Sequence, residues 1–65
     1  MNSNNLIFSS SIPTHVEDIA FDMLNEYLRD ADLERVYVKN VTLAPNEVIF
    51  FAEIEGKESI IRIRV

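Results

Sequence analysis

Apolar residues fall at positions 16, 19, 20, 23, 24, 27 and 28. That i, i+3, i+4, i+7, i+8 spacing is the stripe of an amphipathic helix. It predicts a helix from about His15 to Asp30 that buries Val16, Ile19, Ala20, Met23, Leu24, Tyr27 and Leu28, with Phe21 at the flank of the stripe. Thr14-His15-Val16-Glu17 reads as a capping box at its start. The Thr14 hydroxyl would accept from the Glu17 amide, and the Glu17 carboxylate would reach back to the Thr14 amide.

Past Glu34 the period changes to two. The segments RVYVKNVTL, EVIFFAEIE and ESIIRIRV are rich in β-branched and aromatic residues and read as three strands. APNE between the first two carries Pro at its second position, which suits a type I turn. The Gly56-Lys57 dipeptide between the last two suits a type II′ turn. That turn would pair Ile54 with Ser59, Ala52 with Ile61, Phe50 with Ile63 and Val48 with Val65 on one face. The other face would pair Glu53 with Ile60, Phe51 with Arg62 and Ile49 with Arg64. In the first strand Val36 and Val38 share one parity, and Val41 and Leu43 share the other. A β-bulge near Lys39-Asn40 would bring all four to the same side; without one, one of the two pairs joins the second face.

The expected fold is therefore α+β, with one amphipathic helix on a three-stranded antiparallel meander in the order α-β-β-β. Leu6-Ile7-Phe8 is the one apolar run in an Asn/Ser-rich N-terminal segment. It could add a short N-terminal strand, tuck under the helix, or cover the second sheet face. Residues 1–12 are read as a flexible or partly ordered segment, with disorder expected to about Asn5, and 13–65 as a single domain.

A chain of 65 residues buries only about 60% of its unfolded surface, so its stability is marginal. With no cysteine and a single histidine, disulfides and thiolate metal sites are excluded, and a histidine-based zinc site would need a second chain. Oligomerisation is the remaining common means of support. Gly56 is the sole glycine, which leaves no phosphate-cradling loop. No nucleophile–base constellation surrounds His15. No catalytic residue, metal ligand or cofactor is assigned, and the chain is not read as an enzyme.

The formal net charge is −5, which argues against direct binding to nucleic acid or to an anionic membrane. No apolar run reaches membrane-span length, and the N-terminus lacks the basic region of a signal peptide, so a cytoplasmic location is expected. The charge is uneven: Thr14 to Glu34 carries −6, and Arg35 to Val65 carries +1. Asp18, Asp22, Glu26 and Asp30 recur every four residues and line one helical ridge. Like charges at that spacing oppose the helix by roughly 0.2–0.5 kcal/mol per pair. Such a ridge is commonly a solvated face, and it would also suit a basic partner as a nucleic-acid mimic.

The second sheet face is the other candidate. Tyr37, Ile49, Phe51 and Ile60, flanked by Arg62 and Arg64, form an apolar centre with a charged rim. A lone helix cannot cover both faces of a sheet. The leading expectation is a non-enzymatic interaction protein, a homodimer that binds and inhibits or scaffolds a macromolecular partner, with a second copy over this face. In size and charge the chain is similar to small phage inhibitors of bacterial defence and to antitoxins, an analogy that sets no function. A second reading places a phosphate-bearing small ligand at a subunit seam near Tyr37, Arg62 and Arg64. A third assigns nucleic-acid mimicry to the acidic ridge.

Overall fold

The computed structural model describes residues 5–31 and 34–65. The elements are β1 (Leu6–Phe8), α1 (Thr14–Tyr27), β2 (Val36–Leu43), β3 (Glu47–Ile54) and β4 (Lys57–Arg64). They build a four-stranded sheet in the order β1-β2-β3-β4, with the helix over one face. The α+β class and the meander are as the periodicity predicts. β1 is the added N-terminal strand, and it runs parallel to β2, setting Leu6 beside Val36 and Phe8 beside Val38. A parallel neighbour requires a crossover, and α1 supplies it. Of the three placements open to Leu6-Ile7-Phe8, the sheet edge is the one taken. Of the segment expected to be disordered up to about Asn5, residues 1–4 lie outside the described residues, and Asn5 is half-buried just before β1.

The helix begins one residue earlier than the capping-box reading requires. Pro13 is the N-cap, and its carbonyl accepts from the Val16 and Glu17 amides at 3.0 and 2.9 Å. Thr14 is thereby the first helical residue, where proline's fixed φ has already set the entry, and no side-chain cap forms. The helix ends at Tyr27 rather than Asp30. Leu28 still donates to Leu24 O at 2.8 Å, after which the chain tightens into turns closed by Arg29 on Glu26 O and Ala31 on Leu28 O.

Ala20, Leu24 and Leu28 are buried, and Val16, Phe21 and Met23 pack partly against the core. Two members of the predicted stripe are not buried: Ile19 is 57% exposed and Tyr27 58% exposed. The covered arc is rotated towards Phe21 and away from Ile19 and Tyr27. Ile19 instead stands with Leu43 at the mouth of a small apolar cleft between helix and sheet, floored by Val41 and Val48.

The sheet contributes Leu6, Val36, Val38, Val48, Phe50, Ala52 and Ile61 to the core. Phe50, Leu24, Val36 and Val38 are the largest fully buried side chains. Each such burial is worth about 1.5–3 kcal/mol relative to exposure. Of the two readings open for β2, the bulged one is found: the ladder shifts between Val38 and Asn40, leaving Lys39 as the extra residue. The shift brings Val41 onto the helix side, where it packs against the core. Leu43 follows in register but stays largely exposed at the margin.

The last hairpin turns on Glu55-Gly56, not on Gly56-Lys57. Ile54 pairs with Lys57, Ala52 with Ser59, Phe50 with Ile61 and Val48 with Ile63. Glu55 and Gly56 both take positive φ, 52° and 84°, the mark of a type I′ turn, whose twist matches the flanking strands. Glu55 is held in this disfavoured region from both ends. Its amide donates to Arg35 O at 3.0 Å, and its carboxylate accepts from the Glu34 amide at 3.2 Å. The ladder moves by two positions relative to the predicted pairing. A one-residue slip exchanges faces, whereas a shift of two preserves them. The faces assigned from sequence therefore survive although every cross-strand partner changes. Val65, expected beside Val48, is left 75% exposed.

Candidate interaction surface

The side of the sheet away from α1 is built by alternate residues of all four strands. Along the ladder, Ile7 lies beside Tyr37, which pairs with Glu53, and Glu53 pairs with Glu58. The next rung runs Asn40, Phe51, Ile60, and the next Thr42, Ile49, Arg62, before Glu47 meets Arg64. The structure thus brings the predicted set Tyr37, Ile49, Phe51, Ile60, Arg62 and Arg64 onto one surface. Tyr37 and Ile49 are half-buried by their neighbours, while Phe51 is 37% and Ile60 64% exposed. No described residue lies across this face.

Ile7 is a member that the sequence reading missed, 37% exposed beside Tyr37. The signal was present in the alternation of Leu6-Ile7-Phe8, once those residues are known to be a strand. Far from covering the face, β1 enlarges it.

The rim is organised by ion pairs that depend on the bulge. Lys39, the extra residue, swings over the open face and reaches Glu58 at 2.9 Å and Glu53 at 3.5 Å. Glu53 and Glu58 are directly opposed, an arrangement that would otherwise be repulsive. The hydrogen bond from Lys39 holds the Glu58 carboxyl below the usual carboxylate range, and the same bond raises the Lys39 ammonium above its ordinary value. At the other end Arg62 Nε meets Glu47 at 3.2 Å. All of these side chains remain in contact with water, so each pair contributes little to stability. A wide depression of about 570 Å³ lies among Lys39, Phe51, Glu58 and Ile60, and a smaller one of about 360 Å³ among Arg35, Tyr37, Glu53 and Gly56. Neither is lined by Arg62 or Arg64. Tyr37, Arg62 and Arg64 stand on different rungs and do not converge on one point.

The acidic ridge is only partly the ridge that the spacing describes. Asp18, Asp22 and Glu26 lie exposed on α1, and Arg29 bridges Glu26 at 3.1 Å. Asp30 is exposed beyond the helix end, so its fourfold spacing no longer aligns it with the others. Among the described residues no three His, Cys, Asp or Glu come together as a metal-binding group. None of the described helices is long and apolar enough to cross a membrane.

Comparison with protein families, curated proteins and solved structures finds no match to this chain. The roles of its residues must therefore be argued from its own geometry. That geometry defines an α+β domain with one helix-covered and one open sheet face.

Proposed function

We propose that this protein is a small non-enzymatic interaction module, acting as a homodimer, that binds and inhibits or scaffolds a macromolecular partner through the open sheet face. The observation that carries the reading is the contiguity of Ile7, Tyr37, Ile49, Phe51 and Ile60 on a face that no described residue covers. An apolar centre inside a rim of paired charges is the anatomy of a protein interface. The rim is also pre-ordered, because Lys39 and Arg62 are already held by Glu58 and Glu47.

The test is affinity capture from a lysate of the native host, with wild-type protein, Phe51→Glu and the double variant Asp22→Lys/Glu26→Lys immobilised in parallel. A protein retained by wild type and by the ridge variant, and lost with Phe51→Glu while circular dichroism stays native, supports the reading. Retention unchanged by Phe51→Glu overturns it. Loss confined to the ridge variant would transfer the docking surface to α1, where Asp18, Asp22 and Glu26 stand exposed.

A further inference from the structure

β4 is a sheet edge of eight residues, while the opposite edge, β1, has three. The Glu55-Gly56 turn decides which backbone groups of β4 face outward. With Ile54 and Lys57 as the turn-closing pair, the amides and carbonyls of Lys57, Ser59, Ile61 and Ile63 are spent on β3. Val65 continues that phase, its amide donating to Asn46 O at 3.1 Å. The N–H and C=O groups of Glu58, Ile60, Arg62 and Arg64 therefore point away from the sheet. A row of outward-facing groups is a template for another strand.

The side chains along this edge are not a uniform guard. On the open face of this edge the acid, Glu58, stands at the N-terminal end and the bases, Arg62 and Arg64, at the C-terminal end, with Ile60 between, while Lys57 lies on the opposite face. Such an order repels a parallel copy of itself and attracts an antiparallel one. Only even residues have outward backbone groups, so only registers that join even residues to even residues complete the hydrogen bonds. Setting Arg62 opposite Arg62 opposes like charges. Setting Glu58 opposite Arg62 competes with the existing Glu47–Arg62 bridge at 3.2 Å and carries Arg64 past the strand onto the turn. Setting Glu58 opposite Arg64 keeps that bridge and places Glu58, already bonded to Lys39 at 2.9 Å, between that lysine and Arg64, which has no ion pair among the described residues.

We propose, building on the interaction-module reading, that β4 pairs antiparallel with β4 of a second copy in this last register. Glu58 then faces Arg64 at both ends, Ile60 faces Arg62, and Ile61 faces Ile61 at the two-fold axis. The four outward residues of each strand form on the order of eight inter-chain hydrogen bonds. Because the two-fold runs perpendicular to the sheet, both helices lie on one side. The two open faces merge on the other into one eight-stranded surface, twice the width a single copy offers a partner.

The chain has no cysteine, so a single introduced thiol reports on its own neighbour. Under mild oxidation Ile61→Cys is expected to give a disulfide-linked dimer, since a non-hydrogen-bonded antiparallel pair brings the two Cβ atoms within disulfide reach. Should Ile61→Cys fail to fold, an equimolar mixture of Ser59→Cys and Ile63→Cys reads the same register through a mixed disulfide. Arg64→Glu is expected to weaken dimerisation about tenfold by sedimentation, and adding Glu58→Arg is expected to restore it within about threefold. A dimer cross-linked by Phe51→Cys but not at positions 59, 61 and 63 would overturn the edge pairing in favour of stacked faces and leave the homodimer standing. A wild-type chain that stays monomeric at hundreds of micromolar would overturn both edge and homodimer. The docking face would still stand or fall on the capture experiment alone.

Discussion

Phe50 and Phe51 are consecutive residues of one strand, yet Phe50 is fully buried and Phe51 stays 37% exposed. Ile61 and Ile60 repeat the contrast on β4, at 7% and 64%. The chemistry is the same on both sides of the pleat, and the difference lies in what each face meets. One face has Ala20, Leu24 and Leu28 of the helix against it. The other has only the stems of its own rim residues. A single 14-residue helix suffices for one face, and no second described element lies on the other. The contrast teaches that apolar residues on the open face are not core residues in waiting. Left partly exposed, they add less to folding than their neighbours on the covered face.

The strongest way to break this comparison is to truncate both phenylalanines. Phe50→Ala is expected to cost about 3–5 kcal/mol, against a total stability of about 3–10 kcal/mol for a domain of this size. Urea or thermal melts should show most of the cooperative transition lost. Phe51→Ala should cost less than about 1 kcal/mol in the same melts. Equal losses would show that the second face is covered in solution.

Gly56→Ala tests the turn that sets the register common to both faces. A Cβ there meets nothing within 4 Å, so the penalty is that of φ +84° alone, about 1–2 kcal/mol. A neutral melt would argue that the turn sits elsewhere.

A smaller effect sharpens the account of the rim. The raised Lys39 pKa means that its contribution is present below the ordinary lysine range and is lost as pH rises through the raised value. The lowered Glu58 pKa means that its contribution is present above the ordinary carboxylate range and is lost as pH falls through the lowered value. The stability difference between wild type and Lys39→Met should therefore be flat between those limits and shrink beyond both. Denaturation across pH would sink the assignment if the difference peaked at either extreme.

The smallest effect belongs to the helix ridge. Asp22→Asn removes like-charge contacts with Asp18 and Glu26, two pairs at fourfold spacing, and should stabilise by about 0.4–1 kcal/mol at low salt. Added salt should abolish the gain.

Much of this molecule is legible in its sequence because both periodicities are strong and local. The i, i+3, i+4 pattern places the helix, and the alternation in Val48 to Ile54 and Ser59 to Ile63 assigns each strand residue to its side. The change of parity between Val38 and Val41 marks where β2 is irregular, and the ladder shows that a bulge resolves it. Other features depend on contacts between distant segments. The turn moved to Glu55-Gly56 because Arg35 O and the Glu34 amide, some twenty residues away, hold Glu55 in a left-handed conformation. The capping box yielded to Pro13, and packing against the sheet turned the buried arc of the helix towards Phe21. The site divides in the same way. Tyr37, Phe51 and Ile60 could be placed on one face from parity, whereas Ile7 and the Lys39–Glu53–Glu58 cluster required the register.

Local periodicity thus sets the kinds and order of α1 and β2 to β4, and which face of the sheet the residues of β3 and β4 occupy. These follow from periods of 3.6 and 2, which a shift of two residues leaves intact. Only the tertiary structure decided who stands opposite whom. It set Phe51 beside Ile60 and Glu53 beside Glu58, with Lys39 above them, and it put β1 at the edge of the sheet instead of across its open side. The physical reason is that facing is a property of the local backbone, while pairing is fixed by hydrogen bonds and turn geometry between segments far apart in the chain.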